Sequence, residues 1–93
     1  MVDKKRVKGE NRGQIMLYAL STCGWCKKTK RLLNELGAEY YYVDVDLLEG
    51  DEQERALKEM KGFNPRCTFP TLVANDQSVV GYKKEKIKEV LGA

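Results

Sequence analysis

No histidine occurs among the 93 residues, and the chain holds only three cysteines and two prolines. Without histidine, a four-ligand structural zinc site would have to add an Asp or Glu to the three thiols. An odd cysteine count is one that a secreted disulfide scaffold rarely uses. Long apolar runs are missing too, and nothing approaches the roughly 20 residues of a membrane span. The opening MVDKKRVKGENRGQ lacks the apolar centre of a secretory signal. These shortages set the expectation of one small soluble domain in a reducing, cytoplasmic setting.

Charge of one sign is also scarce once its position is considered. Of 17 cations and 14 anions, residues 1–13 hold Lys4, Lys5, Arg6, Lys8 and Arg12 against Asp3 and Glu10. That is the whole excess of +3, leaving 12 of each sign in residues 14–93. The expected organisation is a basic, polar, disordered leader over 1–13 and one domain over 14–93. The domain carries no basic signature for nucleic acid. No membrane partner is expected, and the chain reads as a monomer.

Apolar periodicity supplies the elements. IMLYAL (15–20) has the length and flanks of a buried strand. From Gly24 the period changes, with Thr29, Leu32, Leu33 and Leu36 on one helical side and Gly37 as the stop. EYYYVDVD (39–46) alternates as a strand does, so strand, helix and strand form a parallel βαβ unit. Asp51-Glu52 opens a second helix with Gln53, Ala56, Leu57 and Met60 inward, ended by Gly62 and Pro65. TLVAN (71–75) and SVVGY (78–82) flank Asp76-Gln77 as a hairpin, and Lys83–Leu91 closes as a short helix. The order β-α-β-α-β-β-α predicts an α/β fold, a four-stranded mixed sheet covered by three helices.

Chemistry concentrates in YALSTCGWCKKTKRLL (18–33). Zinc wants a second ligand pair, which the chain does not offer within itself; a cluster shared between two chains stays open. Two cysteines filling core space is the inert alternative, yet Gly24-Trp25 between them is a poor core pattern. Their place at a strand-to-helix turn is where α/β scaffolds carry function. Redox chemistry explains more of the pattern. Cys23 falls at the start of a helix, where backbone N–H groups and the macrodipole favour a thiolate. Cys26 lies one turn inside on the same face, as a more buried resolving thiol. Lys27, Lys28, Lys30 and Arg31 crowd the first two turns, where cations oppose helix stability. They suit a thiolate or an anionic partner, or else form a solvated face. Pro70 stands directly before a strand, as an ordinary strand-start proline or a cis one.

From about Ile15 to Leu91 the chain resembles the glutaredoxin family within the thioredoxin-like fold. The resemblance rests on YALSTCGWC, on Thr68-Phe69-Pro70 at the family's T-V-P element, and on VVGYKKE near its Gly-Gly-acid site. It implies a cis Phe69-Pro70 bond, Cys23 as nucleophile and Cys26 as resolving thiol. It also implies substrate binding by Thr22, Trp25, Lys27, Thr68, Phe69, Pro70, Gly81 and Tyr82. The Phe69 backbone would pair with the extended substrate, and Trp25 would form part of the rim over the disulfide. The activity implied is thiol–disulfide oxidoreduction, an electron carrier reducing protein or small-molecule disulfides. No organic prosthetic group is required.

Departures from the family pattern bear on the partner. Gly24 replaces the usual Pro, a more pliable helix start that favours more reducing thiols. Lys83 and Lys84 stand near the family's acidic residue, where they would repel the free amine of glutathione. The expected donor is therefore glutathione, another low-molecular-weight thiol or a reductase, with Lys83, Lys84 and Arg66 favouring an anionic thiol. The expected substrate is a disulfide-bearing protein, ribonucleotide reductase among the candidates. Cys67, three residues before Pro70, is a candidate auxiliary thiol or a small filler. The alternative from another class is a [2Fe–2S] carrier or sensor using Cys23 in a dimer. A third is a non-catalytic module binding through the Phe69-Pro70 groove.

Overall fold

The apolar run begins the core as expected: Ile15–Ala19 forms a strand, with Ile15, Leu17, Tyr18 and Ala19 buried. The computed structural model describes residues 4–75 and 77–92. The elements run β1 Lys5–Val7, β2 Ile15–Ala19, α1 Gly24–Glu35, β3 Tyr40–Asp44, a 3₁₀ turn Val45–Leu47, α2 Gly50–Lys61, β4 Thr71–Ala74, β5 Gln77–Val80 and α3 Lys84–Leu91. They build one sheet in the order β1-β3-β2-β4-β5. β2 and β3 are parallel, as the βαβ reading requires, while β4 runs antiparallel to β2 and to β5.

Residues alternating along β2 divide the core in two. Ile15, Leu17 and Ala19 pack with Cys26, Leu32 and Leu33 of α1 and Ile87 and Leu91 of α3. Tyr18 packs on the other face with Val43, Val45, Val73, and Ala56 and Met60 of α2. The period of two along a strand thus places α1 and α3 on one face and α2 on the other. At α1 the expected stripe is buried at Thr29, Leu32 and Leu33, and Gly37 adopts φ +69° just past the helix.

Two expectations need correction. The sheet has five strands rather than four, and the extra one lies inside the segment expected to be a disordered leader. Lys5, Arg6 and Val7 pair antiparallel with Tyr42, Tyr41 and Tyr40, and Glu10 bridges Ala38 beyond them. The segment carries little apolar signal because ladder hydrogen bonds hold it. Lys5 and Arg6 are exposed, and Val7 alone among the three reaches the core. Charged side chains are what a sheet edge uses to resist further pairing. Met1–Asp3, also assigned to the leader, lie outside the described residues. So does Asp76 of the expected hairpin turn.

The second correction concerns β3, which ends at Asp44, two residues early. Val45 turns inward at the start of the 3₁₀ turn and is buried against the α2 side. The side chain of Asp46 then accepts hydrogen bonds from both the N–H and the hydroxyl of Ser21. That clamp ties the end of β3 to the loop before Cys23.

Candidate active site

The β2–α1 loop delivers Cys23 to the helix start. Its N–H donates to the Leu20 carbonyl at 3.2 Å, and its own carbonyl accepts from Lys27 N–H at 3.1 Å. Cys23 is the N-cap of α1 in extended conformation, and its Sγ accepts from Cys26 N–H at 3.2 Å. A sulfur therefore fills the place that an Asp or Ser oxygen usually takes, facing the free N–H groups of the first turn. No acidic side chain occupies that turn, so the helix terminus offers its field to the sulfur.

The two thiols differ sharply in surroundings. Cys23 is half-buried, whereas Cys26 is fully buried in the α1–α3 core. Burial pushes the Cys26 thiol up from 9.0 to about 12, reinforced by its hydrogen bond to Cys23 and opposed in part by a backbone hydrogen bond at Leu20 and, less, by Lys30. One sulfur is accessible and the other is held back as a protonated thiol behind it.

The loop from α2 to β4 packs, through Phe69, against the same half of the core as Cys23. Phe69-Pro70 is cis, Pro70 is buried, and half-buried Phe69 packs against both core halves. The Pro70 carbonyl accepts from Gly81 N–H at 2.8 Å, which joins this loop to the end of β5. Gly81 has φ +85°, a conformation that glycine adopts without the Cβ penalty. Tyr82 follows and stacks on Trp25, ring centroids 5.9 Å apart and 27° between planes. Lys28 Nζ sits 4.5 Å from the Trp25 ring centroid. Trp25 is still 56% exposed, so an aromatic and cationic rim stands open to solvent near the dithiol.

Among the other expected residues, Thr22, Lys27 and Thr68 are exposed; Cys23, Phe69 and Tyr82 all pack against the same half of the core. Lys83 is the N-cap of α3 and Lys84 its first residue, both exposed. Cys67 packs against the α2 half of the core, Cys23 against the other, and Cys67 adopts a left-handed φ of +52°. Phe69 touches both core halves. A concavity of about 1440 Å³ lies elsewhere. It opens between α2 and the sheet near Tyr18, Tyr41 and Phe63, and neither cysteine of the pair lines it.

The sequence reading missed the polar frame beneath the loop. Buried Asn64 donates from Nδ2 to the Thr68 carbonyl at 3.2 Å, to Thr68 Oγ1 at 2.9 Å and to Thr71 Oγ1 at 3.0 Å. Its Oδ1 accepts from Arg66 N–H at 3.2 Å, and Thr71 Oγ1 donates to the Thr68 carbonyl at 2.7 Å. Asn and Thr after a helix look like ordinary turn residues; only their burial marks them as a frame. Lys30 was singled out merely as one of four cations, with nothing to show its pairing with Asp44 at 2.9 Å.

An N-capping cysteine with a buried partner one turn on, and a cis-proline loop packed on the same half of the core, lie within a thioredoxin-like fold. The glutaredoxin family model matches residues 15–79, and the chain belongs to the glutaredoxin family of redox proteins. It is similar to the glutaredoxin of Methanosarcina mazei Go1, with 49% identity and a TM-score of 0.90, covering 97% of this chain and 88% of that one. Methanosarcina acetivorans methanoredoxin superposes with a TM-score of 0.88 at 51% identity, covering 91% of this chain and 90% of that one. A glutaredoxin-like 8.6 kDa protein of the Clostridium pasteurianum rubredoxin operon is 31% identical over 77 residues, 83% of this chain and 96% of that protein. Several other curated glutaredoxins are longer, and the chain spans about half to two thirds of their length.

Proposed function

We propose that the chain is a dithiol oxidoreductase that reduces disulfides through Cys23 and Cys26. The observation that carries this reading is the contrast between the pair. Cys23 is half-buried and its Sγ accepts from the first-turn N–H of Cys26 at 3.2 Å, while Cys26 is buried. Cys23 attacks a substrate disulfide and forms a mixed disulfide, releasing the first substrate thiolate. Cys26 then attacks Cys23 Sγ, releasing the second and leaving the Cys23–Cys26 disulfide. A protein disulfide, such as that of ribonucleotide reductase, is the substrate class. The Phe69 backbone pairs with the extended chain around the substrate cysteine.

Re-reduction needs two electrons from an external thiol or a reductase. The exposed Lys83 and Lys84 follow directly on Tyr82 of the aromatic rim, and exposed Lys27 and Lys28 lie across the stack. A small thiol bearing negative charge away from its sulfur gains from this arrangement. One with a free ammonium at that place is repelled.

The test is a redox titration of the dithiol beside a donor screen with glutathione, a sulfonated thiol and thioredoxin reductase. The reading expects disulfide reduction that vanishes in Cys23→Ser and is fastest with the anionic thiol. Clear preference for glutathione removes the donor assignment. A visible absorbance band after anaerobic purification, with no reductase activity, replaces the whole reading by a [2Fe–2S] carrier.

A further inference from the structure

Of the four cations in the first two turns of α1, Lys30 alone is drawn inward. Lys27, Lys28 and Arg31 are exposed, whereas the Lys30 side chain is 22% exposed and its partner Asp44 13%. The ammonium lies 2.9 Å from Asp44 Oδ1 and 4.3 Å from the centroid of the Tyr42 ring. The other ion pairs among the described residues each have a partner at least 36% exposed. Withdrawing a lysine from water has a desolvation cost that a surface pair avoids, so the position calls for a role.

Helical geometry supplies one. Lys30 follows Cys26 by four residues, which puts their Cβ atoms on one face about 5–6 Å apart. The ammonium contacts Asp44 and Tyr42 on β3, with Asp46 just beyond the strand and Cys26 one turn earlier on its own helix. Cys26 has Cys23 as its other titratable neighbour. Lys30 is the cation that opposes the effect of burial on the Cys26 thiol.

Resting on the dithiol reading above, we propose that Lys30 is a positioning residue for the second step of the reaction. Pinned by Asp44 and the Tyr42 ring, its ammonium stabilises the negative charge that develops on Cys26 Sγ as it attacks the mixed disulfide. In that step the Cys26 thiol loses its proton and its sulfur bonds to Cys23 Sγ. The bond from Cys23 to the substrate sulfur breaks, and the departing thiolate takes up a proton through solvent. The substrate gains the electron pair and the Cys23–Cys26 pair is oxidised. The first step, attack by Cys23, does not draw on Lys30 in this way.

Rapid-quench mass spectrometry with bis(2-hydroxyethyl) disulfide, a neutral probe, separates the two steps. An opposite charge near a thiol favours its thiolate, here by up to about one pH unit because Asp44 already pairs with the cation. The more basic sulfur left without it regains part of the lost rate in nucleophilicity. Lys30→Gln is therefore expected to slow the second step by up to about three- to fourfold at pH 7 and to move its rate–pH profile upward by up to about one unit. Lys30→Arg restores both. Asp44→Asn breaks the same ion pair but keeps the cation, so its profile stays at or below that of the parent chain. In a Cys26→Ser background, Lys30→Gln leaves mixed-disulfide formation on Cys23 unchanged.

An unmoved profile in Lys30→Gln overturns the proposal, as do equal slowing of both steps and like behaviour of Lys30→Gln and Asp44→Asn. If no variant or the parent chain forms a mixed disulfide at Cys23, the dithiol reading falls and the proposal falls with it.

Discussion

Replacing Asn64 by Ala tests whether the cis-proline loop is held by its buried polar frame. The substitution removes three acceptor contacts made by Nδ2, at 3.2, 2.9 and 3.0 Å, and the one at 3.2 Å that Oδ1 makes with Arg66 N–H. Nδ2 has two hydrogens for three acceptors, so one bond is shared and the four contacts amount to about three. At roughly 0.5–1.5 kcal/mol each, with the Thr68 and Thr71 oxygens left short of a donor, the loss is about 2–4 kcal/mol. For a chain of this size that lowers Tm by about 10–25 °C. Thr71→Val removes a donor at 2.7 Å and an acceptor at 3.0 Å while keeping the shape, and should lose about 1–2 kcal/mol. The two residues share a hydrogen bond, so the double variant should lose less than the sum of the single losses. Urea unfolding followed by far-ultraviolet circular dichroism measures all three. A loss below about 0.5 kcal/mol for Asn64→Ala, or strict additivity, refutes the frame.

Two further outcomes follow from the same structure. Burial raises the reduced Cys26 thiol from 9.0 to about 12, and Tyr18 and Tyr40 from 10.0 to about 12. The unfolded chain ionises first, so the stability these groups confer is complete below pH 9 and is lost as pH rises toward 12. Urea midpoints of the reduced protein should fall from pH 9 upward, and Cys26→Ala should delay that fall until the tyrosine range; a flat profile to pH 11 contradicts this. Gly24 is the first residue of α1, and a Cβ there meets nothing within 4 Å. Gly24→Pro should accordingly fold with stability unchanged or raised by about 0.4–1 kcal/mol. Its dithiol should also be less reducing; urea melts and a redox titration check both, and a loss above 1 kcal/mol or an unmoved potential counts against it.

Local periodicity made much of this fold legible. The stripe Thr29, Leu32 and Leu33, the Gly37 stop and the alternation along β2 each follow from one element meeting one core. β1 was not legible, because Lys5 and Arg6 point to solvent and pairing is made by backbone groups that every sequence shares. Strand order likewise depends on contacts between segments far apart in the chain. At the site, the Cys23–Cys26 spacing announced itself, since two thiols at a helix start have few other uses. The Trp25–Tyr82 stack, the Asn64 frame and the Lys30–Asp44 pair join residues separated by 57, 2 to 7 and 14 positions. Nothing local in the sequence marks such partners.

Trapping the mixed disulfide tests the central claim, the division of labour between the two thiols, most directly. The reduced Cys26→Ser variant is mixed with a disulfide substrate, quenched in acid and mapped by mass spectrometry. A substrate adduct should accumulate on Cys23 in that variant, pass quickly to the Cys23–Cys26 disulfide in the parent chain, and be absent in Cys23→Ser. An adduct that forms first on Cys26 or Cys67, or accumulates equally with and without Cys26, contradicts the account.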